Sequence, residues 1–119
     1  MKILESAENY LETIYILKKD LGEVRAIDIA NHLNFSKPSI SNAMKMLREN
    51  GYITIDKSKY ITLTKEGLDI ALKINERHRT LVDFFKYLGV SEKTAIEDAC
   101  KIEHYISDET FAKLKEHLR

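Results

Sequence analysis

The 119-residue sequence has no tryptophan, one proline, four glycines and one cysteine. The lone cysteine, Cys100, excludes an internal disulfide and fits a reducing compartment. No stretch approaches the length of an apolar membrane span, and the first residues lack the apolar core of a signal peptide. We therefore expect a cytoplasmic protein without a membrane partner, built from short elements joined by tight turns.

The charges cancel over the whole chain, with nineteen basic and nineteen acidic residues, but they are unevenly distributed. Residues 36–64 contain five basic residues and two acidic ones, whereas residues 95–110 contain five acidic residues and one basic one. A solvated helix face is the ordinary explanation for any single run of charges. Two segments of opposite sign in a neutral chain instead suggest two surfaces with different partners.

Hydrophobic periodicity predicts helices over residues 5–21 and 26–33, and a third helix that Ser36 caps and that carries Pro38 in its first turn. The stretch YITIDKSKYITLT alternates β-formers around a lysine-bearing turn, which predicts a hairpin. Thr64 then caps a long helix whose apolar face runs from Ile70 to Leu88 over about five turns, and Gly89 ends it. Two more helices follow, one from Ser91 to Ile106 and one after Ser107.

This order of elements predicts a mainly α fold with a small β-hairpin wing, in which a winged helix-turn-helix is followed by further helices. The second helix of the pair leaves small hydroxyls and an amide off its buried face, where they can meet base edges in a major groove. Basic residues on this helix and at the hairpin tip are placed to meet phosphates. We therefore predict a surface for double-stranded DNA at Lys37, Pro38, Ser39, Ser41, Asn42, Lys45, Arg48, Lys57 and Lys59.

The stretch DACKIEHYISDE places a thiol, a carboxylate and an imidazole within five positions. Successive helical residues turn by about 100°, so Cys100, Glu103 and His104 would share one face of a helix. His78 interrupts the apolar stripe of the long helix. Each residue alone has an ordinary structural explanation, but a buried carboxylate beside a thiol and two imidazoles is costly unless something positive lies among them.

Four stretches, AENYLETIYIL, RAIDIANHLNFSKPSISNAMKMLRENGYI, ITLTKEGLDIA and DACKIEHYISDE, resemble the diphtheria-toxin-repressor family of metal-dependent transcriptional regulators, which includes the manganese-transport regulators. The resemblance runs over essentially the whole chain in the family's order. It implies a homodimer whose metal-loaded form binds operator DNA and represses genes for metal-ion uptake. It also implies an Fe(II) or Mn(II) site with the ligands Asn9, Glu12, His78, Cys100, Glu103 and His104.

The ligand set is a hybrid of the two branches of this family. Cys100 matches the iron-type members, whereas Glu12 beside His78 matches the manganese pattern. Asn9 stands where iron-type members carry methionine and manganese regulators carry aspartate. Val82 and Ile96 replace ancillary ligands of the iron-type members, which predicts that this second site is absent in its iron-type form.

The resemblance also implies a domain organisation. We place a winged helix-turn-helix DNA-binding domain at residues 1–72 and a region of metal-binding and dimerisation helices at residues 73–119. The additional C-terminal domain of longer members is expected to be absent. Phe111, Leu114 and Leu118, with apolar residues of the preceding helix, are predicted to form the dimer seam.

Three alternatives compete with a metal-dependent repressor. CKIEH has the spacing of the H-x-x-E-H hydrolase motif, but a thiolate in the first position would compromise the hydrolytic metal chemistry. Cys100 could instead be a redox-sensing thiol, although the neighbouring Glu103 disfavours a reactive thiolate. The third alternative is a winged-helix module for protein contacts alone. We expect no enzyme activity and no small organic substrate.

Overall fold

The computed structural model describes residues 5–118, so the predicted domain ends at residues 1 and 119 lie outside the described residues. In chain order the elements are α1 (Glu5–Leu21), α2 (Ala26–Leu33), α3 (Lys37–Glu49), β1 (Ile53–Ile55), β2 (Ile61–Leu63), α4 (Lys65–Tyr87), α5 (Glu92–Ile102) and α6 (Asp108–His117). The predicted fold class, mainly α with a β-hairpin wing, is confirmed. Within the described range, no helix is both long and apolar enough to cross a membrane.

Local sequence signals account for the ends of the helix-turn-helix. Asn34 adopts the left-handed conformation, with φ of 60°, and so ends α2. Ser36 caps α3, because its Oγ accepts a hydrogen bond from the backbone N–H of Ser39 at 3.3 Å. Pro38 is tolerated in the first turn, where a backbone N–H would have no helical partner.

The chain divides into two compact units, the first ending at Leu72 and the second beginning at Lys73. In the first unit, α1, α2, α3 and the hairpin surround one apolar core. The predicted buried face of α3 is confirmed, since its buried residues are Ile40, Ala43, Met44 and Leu47. In the hairpin, Ile53 pairs with Leu63 and Ile55 with Ile61, and Ile61 also bridges to Val24. The sequence pattern did not predict this bridge.

Thr64 and Gly67 join the hairpin to α4. Thr64 Oγ1 donates a hydrogen bond to the carbonyl oxygen of Gly51 at 2.7 Å and accepts one from the N–H of Gly67 at 3.2 Å. A Cβ atom at position 67 would lie 2.1 Å from the carbonyl oxygen of Tyr52. Glycine is therefore required at position 67 because two backbone segments approach each other closely there.

The second unit contains residues 73–87 of α4 together with α5 and α6. Its buried residues are Ile74, Arg77, Leu81, Ala95, Ala99, Glu103 and Phe111. The prediction that α5 reaches Ile106 is wrong: α5 ends at Ile102, and residues 103–107 form the α5–α6 turn. The assignment of Phe111 to a dimer seam is also wrong, because its side chain is buried within its own unit.

Candidate functional site

Three of the predicted metal ligands converge in the second unit. One donor atom from each of His78, Cys100 and Glu103 lies within 4.8 Å of the others. His78 Nδ1 is 2.8 Å from Glu103 Oε2 and 3.9 Å from Cys100 Sγ. Donor atoms that share one ion at about 2.0–2.3 Å are roughly 3–4 Å apart, so these separations need little change to surround a cation.

His104 completes the group that we call the candidate metal centre, namely His78, Cys100, Glu103 and His104. Its Nε2 lies 3.4 Å from Glu103 Oε1, and its side chain is only 1% exposed. The Glu103 carboxylate, 2% exposed, therefore has an imidazole near each oxygen. Because a buried carboxylate is costly unless it is compensated, this donor set fits a cation bound beside it.

The end of α5 determines how these ligands are presented. Cys100 lies in the last turn of α5 and is exposed, whereas Glu103 follows the helix as its cap residue and is buried. Glu103 keeps helical backbone angles, with φ of −56° and ψ of −25°, and so continues the helical path by one residue. His104 lies in the α5–α6 turn. The prediction that all three ligands lie on one continuous helix therefore fails, although they still lie close together.

The other residues of the predicted ligand set lie in the first unit. Asn9 is exposed and Glu12 is half-buried, and both are on α1. Their assignment as metal ligands stays a prediction. Val82, half-buried on α4, and Ile96, exposed on α5, offer only apolar side chains, and the absence of an iron-type second site likewise stays a prediction.

Every residue of the predicted DNA surface is exposed, and these residues are Lys37, Pro38, Ser39, Ser41, Asn42, Lys45, Arg48, Lys57 and Lys59. A groove of about 420 Å³ separates α3 from the wing, which we define as the hairpin with its turn at residues 56–60. Lys45, Arg48 and Lys59 line this groove together with Ser41. Over residues 5–118, none of the five basic residues of this surface forms an ion pair with a carboxylate. Their charges therefore remain available to phosphates.

The sequence pattern missed Arg25 beside this surface. Arg25 precedes α2, and its guanidinium lies over the ring of Tyr60 at 4.4 Å from the centroid. It is exposed and thus adds another cation near the wing. No local signal pairs Arg25 with Tyr60, because they are far apart in sequence. The position of Arg25 just before the first helix of the helix-turn-helix was the one available signal for a phosphate contact.

The sequence pattern also missed a charged group in the second unit. Lys73 Nζ lies 3.1 Å from Asp108 Oδ1, and the guanidinium of Arg77 contacts the same oxygen. The hydrogen bond and positive charge of Lys73, together with the charge of Arg77, lower the pKa of Asp108 below its ordinary value. This carboxylate therefore remains ionised to a lower pH than an isolated one.

The fold and the site define a class of protein: a winged-helix DNA-binding regulator with a candidate metal centre in a separate helical unit. Residues 2–61 match the family described as "Iron dependent repressor, N-terminal DNA binding domain". Residues 64–119 match "Iron dependent repressor, metal binding and dimerisation domain". The chain belongs to the iron-dependent repressor family of metal-dependent transcriptional repressors, and the resemblance found in the sequence is confirmed.

Individual relatives agree with this assignment. The chain is 39% identical over 113 residues to an HTH-type transcriptional regulator of Methanocaldococcus jannaschii, covering 93% of this chain and 90% of the relative. It is 36% identical over 106 residues to the transcriptional regulator MntR of Escherichia coli, covering 89% and 68%. The solved manganese complex of a manganese-dependent transcriptional repressor superposes with a TM-score of 0.83 at 28% identity, covering 94% of this chain. The chain spans about half of that repressor, 52% of its length.

Proposed function

We propose that this chain is a metal-dependent repressor that acts as a homodimer on the operator DNA of genes for Fe(II) or Mn(II) uptake. The observation that carries the proposal is the approach of His78, Cys100 and Glu103 donor atoms to within 4.8 Å of one another. This cluster belongs to a chain whose other unit exposes a basic recognition helix. A sensor needs both parts, whereas an enzyme would need neither the helix-turn-helix nor its basic groove.

On the DNA side, we expect α3 to enter the major groove and the wing to lie against the backbone. Ser41 and Asn42, exposed near the start of α3, would meet base edges. Lys45, Arg48 and Lys59 line one groove and would contact phosphates, which makes affinity depend on salt. This location of the target would place the protein in the cytoplasm with the chromosome.

On the metal side, His78, Cys100, Glu103 and His104 would hold a divalent transition metal, with Asn9 and Glu12 as the further predicted ligands. A bound ion supplies the positive charge that the buried Glu103 carboxylate needs. Nitrogen and oxygen donors with one sulfur suit Fe(II), and the carboxylate also admits Mn(II). Since Co(II), Ni(II) and Zn(II) bind such donors at least as tightly, availability in the cell would select the physiological metal.

Apolar side chains on the surface of the second unit support a homodimer. The large exposed ones are Tyr87, Leu88, Ile96, Ile102 and Tyr105. We propose that they form the dimer seam instead of the buried Phe111. Two recognition helices would then have to lie about 34 Å apart, one turn of duplex DNA, in order to enter successive major grooves.

The test is metal-dependent DNA binding by the full chain. A duplex is first selected from a random-sequence pool in the presence of Mn(II), and its affinity is then measured by fluorescence anisotropy with EDTA, Mn(II) or Fe(II) under anaerobic conditions. We expect at least about tenfold tighter binding with metal, a coupling of about 1.4 kcal/mol. The duplex should tighten metal binding by the same factor. Equal DNA affinity under all three conditions would contradict the proposal.

A matched pair of variants shows whether the candidate metal centre is responsible. His104→Ala should lose metal activation of DNA binding, because its buried imidazole lies beside Glu103. His117→Ala removes an exposed imidazole from α6 and should bind DNA like the wild type. Circular dichroism should show both variants folded. Normal metal activation of His104→Ala would contradict the ligand assignment.

A second candidate function, thiol-based redox sensing, is favoured by one observation. Cys100 is exposed, and its Sγ lies 3.9 Å from His78 Nδ1. Peroxide would oxidise such a thiol to a sulfenic acid and be reduced to water. If DNA binding by the wild type responds to peroxide in the presence of EDTA and Cys100→Ser does not respond, redox sensing is supported over metal sensing.

A further inference from the structure

Arg77 is a buried cation whose side chain binds the backbone of the α5–α6 turn. It is 5% exposed. Its Nη1 donates hydrogen bonds to the carbonyl oxygens of Ile106 at 2.6 Å and Glu103 at 3.3 Å, and Nη2 donates to the carboxylate of Asp108. The guanidinium also lies 5.5 Å from the ring centroid of Phe111. One side chain thus contacts four residues between positions 103 and 111.

Two of these contacts satisfy backbone carbonyl groups at the end of α5 and in the turn that follows it. The last carbonyl groups of a helix have no intrahelical donor and need one from elsewhere. Arg77 supplies such a donor to Glu103, the cap residue of α5, and also donates to Ile106 in the turn three residues later. His104 lies between these two bonded positions. A single guanidinium therefore ties the backbone to α4 on both sides of His104, at Glu103 and at Ile106.

Arg77 and His78 are neighbours on α4, and both contact Glu103. Arg77 binds the carbonyl oxygen of Glu103, while His78 Nδ1 lies 2.8 Å from its carboxylate. The main chain and the side chain of one ligand residue are thus held by successive residues of one helix. Loss of the hydrogen bond from Arg77 to the Glu103 carbonyl oxygen would leave the Glu103 carboxylate on a less constrained turn.

We propose that Arg77 is a positioning residue of the candidate metal centre. It fixes the α5–α6 turn so that Glu103 and His104 are presented to the metal beside His78, before any ion is bound. This inference rests on the proposed function, because it assumes that the cluster binds a divalent metal. Lysine cannot replace Arg77, since its single ammonium group cannot reproduce a planar fork that reaches two carbonyl oxygens and a carboxylate.

The experiment is a Co(II) titration of the full chain, in which absorption from thiolate-to-Co(II) charge transfer reports the site through Cys100. We expect Arg77→Lys to weaken Co(II) binding about 10- to 100-fold, the usual effect of losing a group that orients metal ligands, and to alter the visible Co(II) spectrum. Arg79→Lys, at an exposed position two residues further along α4, should match the wild type in affinity and spectrum. Circular dichroism checks that each variant is folded at the titration temperature.

The outcomes separate this inference from the proposed function. If Arg77→Lys is folded and binds Co(II) with wild-type affinity and spectrum, the positioning role is refuted while the metal centre stands. If Arg77→Lys does not fold, Asp108→Asn decides, because Asp108 is exposed and the variant removes only one partner of the guanidinium. A loss of threefold or more in Co(II) affinity supports the role, and an unchanged affinity refutes it. A wild-type chain without the charge-transfer band refutes both proposals.

Discussion

Glu103→Gln tests the candidate metal centre at its buried carboxylate. The side chain is 2% exposed and lies 2.8 Å from His78 Nδ1 and 3.4 Å from His104 Nε2. Glutamine keeps the volume and one carbonyl oxygen but removes the negative charge that a cation would neutralise. Hydrogen bonds to charged groups are worth about 1.5–3 kcal/mol, and a carboxylate–metal contact is at least as strong, so we expect Mn(II) affinity to fall by at least about tenfold.

The affinity is measured by isothermal titration calorimetry of protein treated with a chelator. Glu97→Gln is the matched control, because Glu97 is an exposed carboxylate on the same helix, α5. Urea unfolding without metal should show that Glu103→Gln remains cooperatively folded, since the amide can still hydrogen-bond to an imidazole. If Glu103→Gln binds Mn(II) as tightly as the wild type, or if Glu97→Gln loses as much affinity, the assignment of Glu103 as a ligand is wrong.

Three further predictions concern the DNA surface, the hairpin junction and the second unit. Lys45→Ala and Lys59→Ala should each lower the slope of log affinity against log salt by about 0.9, because each removes one phosphate contact; an unchanged slope would exclude that contact. Gly67→Ala should lower the free energy of unfolding by about 1–3 kcal/mol in urea, because its Cβ would collide with the carbonyl oxygen of Tyr52. Lys73 and Arg77 lower the pKa of Asp108. Their ion pairs with Asp108 therefore stabilise the folded chain at pH values above the ordinary carboxyl pKa, and this stabilisation is lost as pH falls through the lowered pKa. The difference in urea midpoint between the wild type and Asp108→Asn should therefore be present at neutral pH and vanish in acid, whereas a difference independent of pH would contradict this cause.

Most of the fold could be predicted because its signals are local. Ser36 and Ser107 cap the helices that follow them, Gly89 adopts φ of 98° after α4, and α1 has the predicted bounds. Each of these signals depends on one residue and its nearest neighbours in sequence. Hydrophobic periodicity predicted burial less reliably. Leu21 and Leu88 continue the apolar stripes of α1 and α4, yet they are 55% and 60% exposed. Both lie at helix ends, where the core no longer covers the stripe.

The end of α5 could not be predicted because its cause is distant in sequence. Arg77 donates to carbonyl oxygens 26 and 29 residues away, and these bonds stabilise a turn where the sequence pattern alone would continue the helix. The same guanidinium lies 5.5 Å from the ring centroid of Phe111, whose side chain is buried. The candidate ligands could still be named, because their residue types carry the chemistry. Their geometry could not, because it depends on a buried arginine at a position that periodicity does not mark.

The final prediction concerns how metal in one unit affects DNA binding by the other. A ligand changes an equilibrium only by its differential affinity for the two states, so a metal donor in the first unit would give the ion a direct effect on that unit. Glu12 is on α1 of the first unit, and the family resemblance predicts it as a ligand. Glu12→Gln should therefore keep the thiolate-to-Co(II) band, because this band needs only Cys100 and its neighbours. The ratio of DNA affinity with metal to DNA affinity without metal should fall from about ten towards one. The two quantities are measured on the same preparation by absorption and by fluorescence anisotropy, with Glu23→Gln, exposed beyond the end of α1, as the control. A variant that retains the full gain would show that the coupling does not run through Glu12.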